Sequence, residues 1–469
     1  MCSTMNSTER ITTTPNRRYF QYRGKPIWLS GHSRMWTLTG FMSEGEKALD
    51  TSLDDEPYMD EIRTVAEHGG HLMRVTAYWP GDWKRGRPMP WVMIDSGRFD
   101  LSRFNDDYWR RLRHFVSECA RRDIIVHLEV WDRPGLSAWN ETRWPAHPFN
   151  PDNNVNYGTA VIAGGDGDVV GGDKPFYRTI AGGNPLLLGH QSAFVDRLLD
   201  ECEPMPNVIY CIENEGWGGA DWECYWARYI RKRVPDALVT AMPHEPTDNT
   251  WTTYFDTSTY SCLDGGGTGL RTATRGDDQN HEDLEPRTLR SRTDQFIQLR
   301  ECMAKYSLYM QYNPDRAMPI YVSNAFGRSR DSIWGMFCCG AAGFRYHRNT
   351  WDDSHEVYRW LRGFNRFLDE SAVPFAEMAP RHDLLRGYGL LLHNHTTFVA
   401  YVPSSHKGAS YHCPHCNGTL TLRYFDPERG EWHDDATETV AVGESAVVEM
   451  NARNGNATVV MGTFDQPTV

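Results

Sequence analysis

Residues 207–219 read NVIYCIENEGWGG. The run from Val208 to Ile212 is apolar and rich in β-branched side chains, and it stops at Glu213-Asn214-Glu215 before a glycine-containing turn. A short, continuously apolar segment bounded by turn residues predicts a buried strand of a parallel sheet. Polar groups at the C-terminal end of such a strand fall where α/β barrels gather their chemistry. Glu215 is therefore the first candidate for a general acid, since the walls of a barrel partly desolvate a carboxylate and raise its pKa.

The flanking sequence repeats the pattern. Apolar segments at 26–31, 72–79, 124–130, 207–213, 237–242, 252–257, 319–323 and 341–346 alternate with helical stretches near 58–68, 106–122, 187–201, 221–232, 287–312 and 353–368. Within 106–122, Trp109, Leu112, Phe115, Val116 and Cys119 recur at three- and four-residue spacing opposite a face of Arg and Asp, as in a helix lying on a sheet. Eight strands with intervening helices predict an α/β fold, a closed (β/α)8 TIM barrel, with the helix between the fifth and sixth strands missing or reduced. No GxGxxG or P-loop string follows a strand, which removes the best support for a nucleotide-binding doubly wound sheet. From Ala372 onward the chain alternates apolar and polar residues without helices, at 389–394, 397–402, 419–425, 446–450 and 457–461. The expected organisation is a barrel with an N-terminal hairpin over 1–372 and an all-β sandwich over 373–469.

Composition sets the bounds. The 469 residues are 40% hydrophobic and 24% charged, as in a globular protein, and no apolar run approaches the roughly 20 residues of a membrane helix. A net charge of −13 disfavours nucleic acid as a partner. The first twenty residues lack the apolar region of a secretory leader, so the expected location is the cytoplasm unless a leader has been removed. Of eleven cysteines, Cys119, Cys211, Cys338 and Cys339 lie in apolar segments and read as buried thiols in a reducing compartment. Cys413 and Cys416, in HCPHC, have ligand-like spacing, but an exposed thiol pair or a local disulfide is the simpler reading because four near-consecutive ligands rarely wrap one zinc ion.

The string ending in Asn214-Glu215 resembles the fourth strand of the retaining TIM-barrel glycosidases of clan A, which ends in Asn-Glu. YFQYRGKPIWLSGHSRMW, HLMRVTAYWPGDW and WGMFCCGAAGFRYH resemble the opening hairpin and first strand, the Arg-bearing second strand and the last strand of a bacterial subgroup that includes apiosidase-like proteins. The resemblance implies a glycoside hydrolase with a carbohydrate substrate, no cofactor, no metal and Glu215 as acid/base. It also implies a second Glu at the end of the seventh strand. MPIYVSNAFG puts Asn324 there instead, and an amide cannot form a glycosyl-enzyme ester. Another carboxylate near the mouth would complete the pair: Glu129, Asp132, Glu245 or Asp256. Otherwise the substrate supplies its own nucleophile, or the site is a non-catalytic glycan-binding remnant. A metal-dependent hydrolase using the histidines is a third reading, though GHSR supplies only one of the two histidines that such barrels carry on the first strand.

Expected substrate contacts are His32, Arg74, Trp79, Trp131, Asn214, Trp217, His244, Asn324, Arg345 and His347. All fall near strand ends, where indole faces suit the C–H face of a pyranose and arginine suits a carboxylated or sulfated sugar. Glu213, two residues before Glu215, is expected either beside Arg74 in the barrel interior or in a catalytic role. The sugar, the linkage and the oligomeric state are not legible.

Overall fold

The computed structural model describes residues 9–33, 38, 57–136, 141–161, 176–180, 183–216, 219–243, 251–267, 292–323, 330–346, 355–403, 408–414, 418–433, 437–443, 445–450 and 456–467. Eight parallel strands run in chain order: β1 (Leu29–His32), β2 (Leu72–Thr76), β3 (Ile125–Asp132), β4 (Val208–Asn214), β5 (Leu238–Thr240), β6 (Leu263–Asp264), β7 (Ile320–Val322) and β8 (Gly343–Tyr346). They are ordered β5-β4-β3-β2-β1-β8-β7-β6. The seam between β5 and β6 is bridged by the Ser261 amide to the Val239 carbonyl (2.8 Å) and the Asp264 amide to Thr240 Oγ1 (3.0 Å). The fold is thus a nearly closed (β/α)8 barrel with all eight strands buried.

Helices α1 (Pro57–Glu67), α2 (Asp106–Ala120), α3 (Pro185–Cys202), α4 (Ala220–Arg233), α5 (Arg292–Tyr312), α6 (Arg330–Cys338) and α7 (His355–Ser371) surround it. Asn105 and Asn184 start α2 and α3 by accepting the amides of Asp107 and Leu187, the usual way of satisfying donors that a first turn leaves unpaired. Between β5 and β6 the described residues hold only the 3-10 turn Trp251–Phe255, so the expected gap in the helical ring is present. The expected strand at 252–257 is not: this stretch is the 3-10 turn, and the sixth strand is the two-residue β6. The N-terminal hairpin, with strands Phe20–Tyr22 and Lys25–Ile27, sits under the N-terminal ends of the strands, with the Ile11 amide on the Pro206 carbonyl and Phe20 edge-on to Tyr321.

The C-terminal region folds as antiparallel sheets. One runs Ala379–Pro380, Leu390–His393, Thr397–Val402, Thr458–Phe464, Gly418–Asp426 and Glu431–Trp432; a second contains Leu385–Gly387, Ala409–Pro414 and Ser445–Met450. Along Thr397–Val402 the side chains separate by the two-residue period of a strand. Phe398, Ala400 and Val402 enter a core between the two sheets, whereas Val399 and Tyr401 join the core of the barrel. Tyr401 stacks on Trp334 of α6 at 6.1 Å, and Phe425 meets Phe367 of α7 at 5.4 Å. Gly363 of α7 lies so close to the Asp426–Glu431 turn that a methyl group there would be 2.9 Å from the Gly430 Cα, an approach that any larger residue would forbid.

Candidate active site

The C-terminal end of the barrel carries one connected polar network. Arg74 on β2 donates from Nε to Glu129 on β3 and from Nη2 to Asn214 Oδ1 on β4 (2.6 Å). Thr76 Oγ1 donates to the other Glu129 oxygen (2.6 Å). The Asn214 amide, its oxygen held by Arg74, donates to Asp132 Oδ1 (2.6 Å), and Asp132 Oδ2 accepts the Gly135 backbone amide (2.7 Å). Glu215 follows with a left-handed backbone (φ 49°), which is uncommon for a residue with a side chain and marks a constrained turn. Arg133 Nη2 holds Glu215 Oε2 at 2.7 Å, and the Gly216 amide donates to the Met242 carbonyl after β5 (2.9 Å).

A second group adjoins the first. Asp264 at the end of β6 accepts the Ser323 amide (3.1 Å), the Ser323 hydroxyl and the Gly266 amide (2.8 Å), and its Oδ2 lies 3.6 Å from His127 Nε2. His127 Nδ1 is 2.7 Å from the Tyr321 hydroxyl. Arg345 on β8 donates to the Ser323 carbonyl and to Ser33, all at 3.0 Å.

Burial and charge divide these groups. Glu129, Asp264 and His127 have no exposed surface. Burial holds His127 far below the usual imidazole range, with Arg74 and Arg345 acting in the same direction, so its ring is neutral. Burial also presses Arg345 down to about 9, aided by Arg74. It pushes Asp264 up to about 6 and Asp132 up to about 7, even though Asn214 and Gly135 donate to Asp132; the charges of Glu129 and Glu215 add to the rise. Asp132 retains 8% exposure and the Glu215 side chain 16%.

The structure brings together Glu215, Glu129, Arg74 and Asn214 as expected for one mouth. Arg345 and His32 lie beside it, His32 with Nδ1 3.4 Å from the Tyr346 carbonyl and its ring edge-on to Tyr358. Trp79 is buried under the Arg143 guanidinium, whose charge is felt by Asp132, Arg133 and Glu215. Asp256 is elsewhere. It precedes β6, accepts from Ser258 and Thr259 and faces Arg228, while the adjacent Thr257 contacts Asp315 ahead of β7. That is the end of the barrel opposite Glu215. Trp131 is also displaced from the substrate role: it is 2% exposed and packed among Phe149, Phe176, Phe194, Trp222 and Trp226. Glu213 does not meet Arg74; it accepts from Tyr177 (2.5 Å). Trp217, His244, Glu245, Asn324 and His347 lie outside the described residues, as do the side chains of Cys413 and Cys416. The sequence does not point to Asp264 because the expected sixth strand, 252–257, ends before it, although Leu263-Asp264 followed by three glycines is itself a strand-end signal. Nothing in the sequence singles out Glu223, whose place in the first turn of α4 is ordinary for an acid.

No family model matches the chain, and no curated protein does. Solved structures do. One described as a glycoside hydrolase aligns over 98% of this chain and 98% of its own at 13% identity and a TM-score of 0.59. It shares the fold of glycoside hydrolases. A glycoside hydrolase family 5 structure from Bacteroides vulgatus aligns over 97% of this chain and 94% of its own, at 14% identity and a TM-score of 0.59. Another from that organism, described as a putative glycoside hydrolase, covers 98% of this chain and 83% of its own at 10% identity, with a TM-score of 0.54. Because the alignments extend over nearly the whole chain, the likeness takes in the C-terminal sheets as well as the barrel.

Proposed function

We propose that this protein is a glycoside hydrolase acting on an oligo- or polysaccharide, with Glu215 as the general acid/base and Asp132 as the second carboxylate. The observation that carries the reading is the Asp132–Asn214–Glu215 arrangement: two acids of the mouth that retain exposed surface, joined through one amide and held in unlike environments. Glu129 and Asp264, by contrast, are sealed and saturated with donors. Arg133 favours the ionised form of Glu215, while burial keeps a proton on Asp132 up to about pH 7. Pairs whose environments separate their pKa values in this way are how one site supplies both an acid and a base. A leaving-group oxygen that replaced Arg133 on Glu215 would remove the bias, and transfer of the Asp132 proton to Glu215 would then leave Glu215 as the acid that protonates the leaving group and Asp132 as the ionised second carboxylate.

The clan A assignment and the finer likeness to apiosidase-like proteins rest on the sequence strings quoted above. The full-length alignment with family 5 barrels supports the reading at the level of the fold.

The test is a panel of oligosaccharides and activated aryl glycosides assayed with wild type, Glu215→Gln, Asp132→Asn and Asn324→Glu. General acid–base catalysis contributes about 10²–10⁴-fold, so each of the first two substitutions should lower kcat by at least about a hundredfold. Asn324→Glu should lower it too, by adding a negative charge to a mouth that already holds its pair. Turnover by Asn324→Glu with none by wild type would overturn the proposal and establish a glycan-binding remnant.

A further inference from the structure

Beneath Glu215 lies a second pair of acids that the proposed reaction does not use. Glu213 is the next-to-last residue of β4, with its side chain turned away from Arg74, and Glu223 sits in the first turn of α4; both are buried, at 0% and 1% exposure. A methyl group on Gly216 would stand 2.0 Å from Glu223 Oε1 and 3.3 Å from Glu213 Oε2. The two carboxyl groups therefore share the space under that one glycine, which is the residue following Glu215. Tyr177 donates to Glu213 Oε1 (2.5 Å) and Tyr254 to Glu223 Oε2 (2.7 Å).

Among the described residues, titratable groups face the pair from several neighbouring elements. They are Tyr177, Tyr254 and Tyr260 from the loops, Cys211 from β4, Cys224 from α4, and Arg133, which acts on Tyr177 from the mouth side. Two ionised carboxylates this close in a dry pocket would repel strongly, and Tyr177 and Tyr254 bring them neutral hydroxyls.

We propose that Glu213 and Glu223 hold one proton between them, and that this singly charged pair is the positioning element that keeps the Glu215–Gly216 turn, and with it Glu215, directed into the mouth. The geometry supports it from both sides. Gly216 rests directly on Glu223 Oε1, its amide is anchored to Met242, and Glu215 is held in a left-handed conformation that its surroundings must impose. Loss of the shared proton would set two like charges against each other under the turn and push it out of place. The positioning role rests on the reading of Glu215 as a reacting group; the shared proton does not.

Glu223→Gln and Glu223→Ala, each in the full chain, test both parts. The infrared difference spectrum of wild type minus Glu223→Gln at neutral pH should show the carbonyl stretch of one buried protonated carboxylic acid, separate from that of Asp132, which both proteins share. A difference spectrum without that band would overturn the shared proton, whatever the activity. Burial and the neighbouring Glu213 raise Glu223 from 4.5 to about 8. Because this folded value lies above the unfolded one, the stability contributed is complete below about pH 4.5 and is lost as pH rises towards 8. Glu223→Gln should abolish that part of the slope in a melting-temperature series. A slope unchanged from wild type would also refute the pair.

For positioning, wild-type turnover of a glycoside found in the panel should show, beyond the loss set by Asp132 near 7, a second proton-linked fall above 8. In Glu223→Gln this fall should move to higher pH, and Glu223→Ala should not reproduce the shift. An identical alkaline limb in wild type and Glu223→Gln would overturn the positioning role. A protein that turns over no glycoside refutes the hydrolase reading and the positioning role with it, while the infrared and melting measurements still decide the proton.

Discussion

Replacing Arg74 by alanine isolates the interaction on which the mouth network depends. Arg74 is 4% exposed and Glu129 is sealed. Removing the guanidinium leaves Glu129 with Thr76 as its remaining side-chain donor among the described residues and frees the Asn214 oxygen that fixes the amide towards Asp132. Breaking a buried pair by deleting one partner costs about 3–5 kcal/mol, most of it the penalty of an uncompensated buried charge. At about 2.1 cal/mol/K per residue, a 469-residue chain unfolding as one unit has an unfolding entropy near 1 kcal/mol/K, so the midpoint should fall by about 3–5 °C. Differential scanning calorimetry, with a urea titration as a check, measures it. The decisive comparison is the double variant Arg74→Ala/Glu129→Gln, in which no buried ion is left alone. It should recover more than half of the loss. If the double variant is as unstable as Arg74→Ala, the loss is one of packing and the electrostatic account is wrong.

Two further outcomes follow from where the structure places residues. Asp256→Asn should leave turnover on the glycoside panel within about twofold of wild type and cost no more than about 1 kcal/mol, as expected of a partly exposed ion pair with Arg228 at the far end of the barrel; a loss of several orders of magnitude would restore it as a catalytic acid. Trp131→Ala should destabilise by about 3–5 kcal/mol, the usual cost of emptying a large aromatic site, whereas Trp131→Phe should leave KM on any substrate unchanged; a KM rise in a fully folded Trp131→Phe would return the indole to the sugar.

The sequence made the barrel legible where strands are long enough to show a period and helices long enough to show a stripe. Val208–Asn214 and Asp106–Ala120 are examples, and both were placed to within two residues. It failed at β6, where two residues carry no period, and at Trp251–Phe255, whose Thr, Tyr and Phe imitate a strand until the Asp256 side chain turns the chain by bonding Ser258 and Thr259. Within the site, Glu215, Asn214 and Arg74 were found because they end or line recognisable strands. Trp131 and Glu213 were misplaced for a shared reason. Glu129 and Asp132 both join the polar network although they are three apart, so the two-residue alternation is broken between them, and Trp131 and its ladder partner Glu213 are carried away from the network. No inspection of alternating residues anticipates such a slip.

The strand Thr397–Val402, with alternate side chains in two cores, has a consequence during synthesis. Helices α6 and α7 of the barrel present Trp334 and Phe367 to partners such as Tyr401, Phe425 and Trp432, which leave the ribosome about sixty to ninety residues later. At about 5–20 residues per second, a nascent chain whose eight barrel strands are complete still waits several seconds with an aromatic surface uncovered. This interval is when the growing polypeptide is most exposed to aggregation and most dependent on chaperones, and heterologous production should respond more to slowed translation across 380–432 than across any barrel strand.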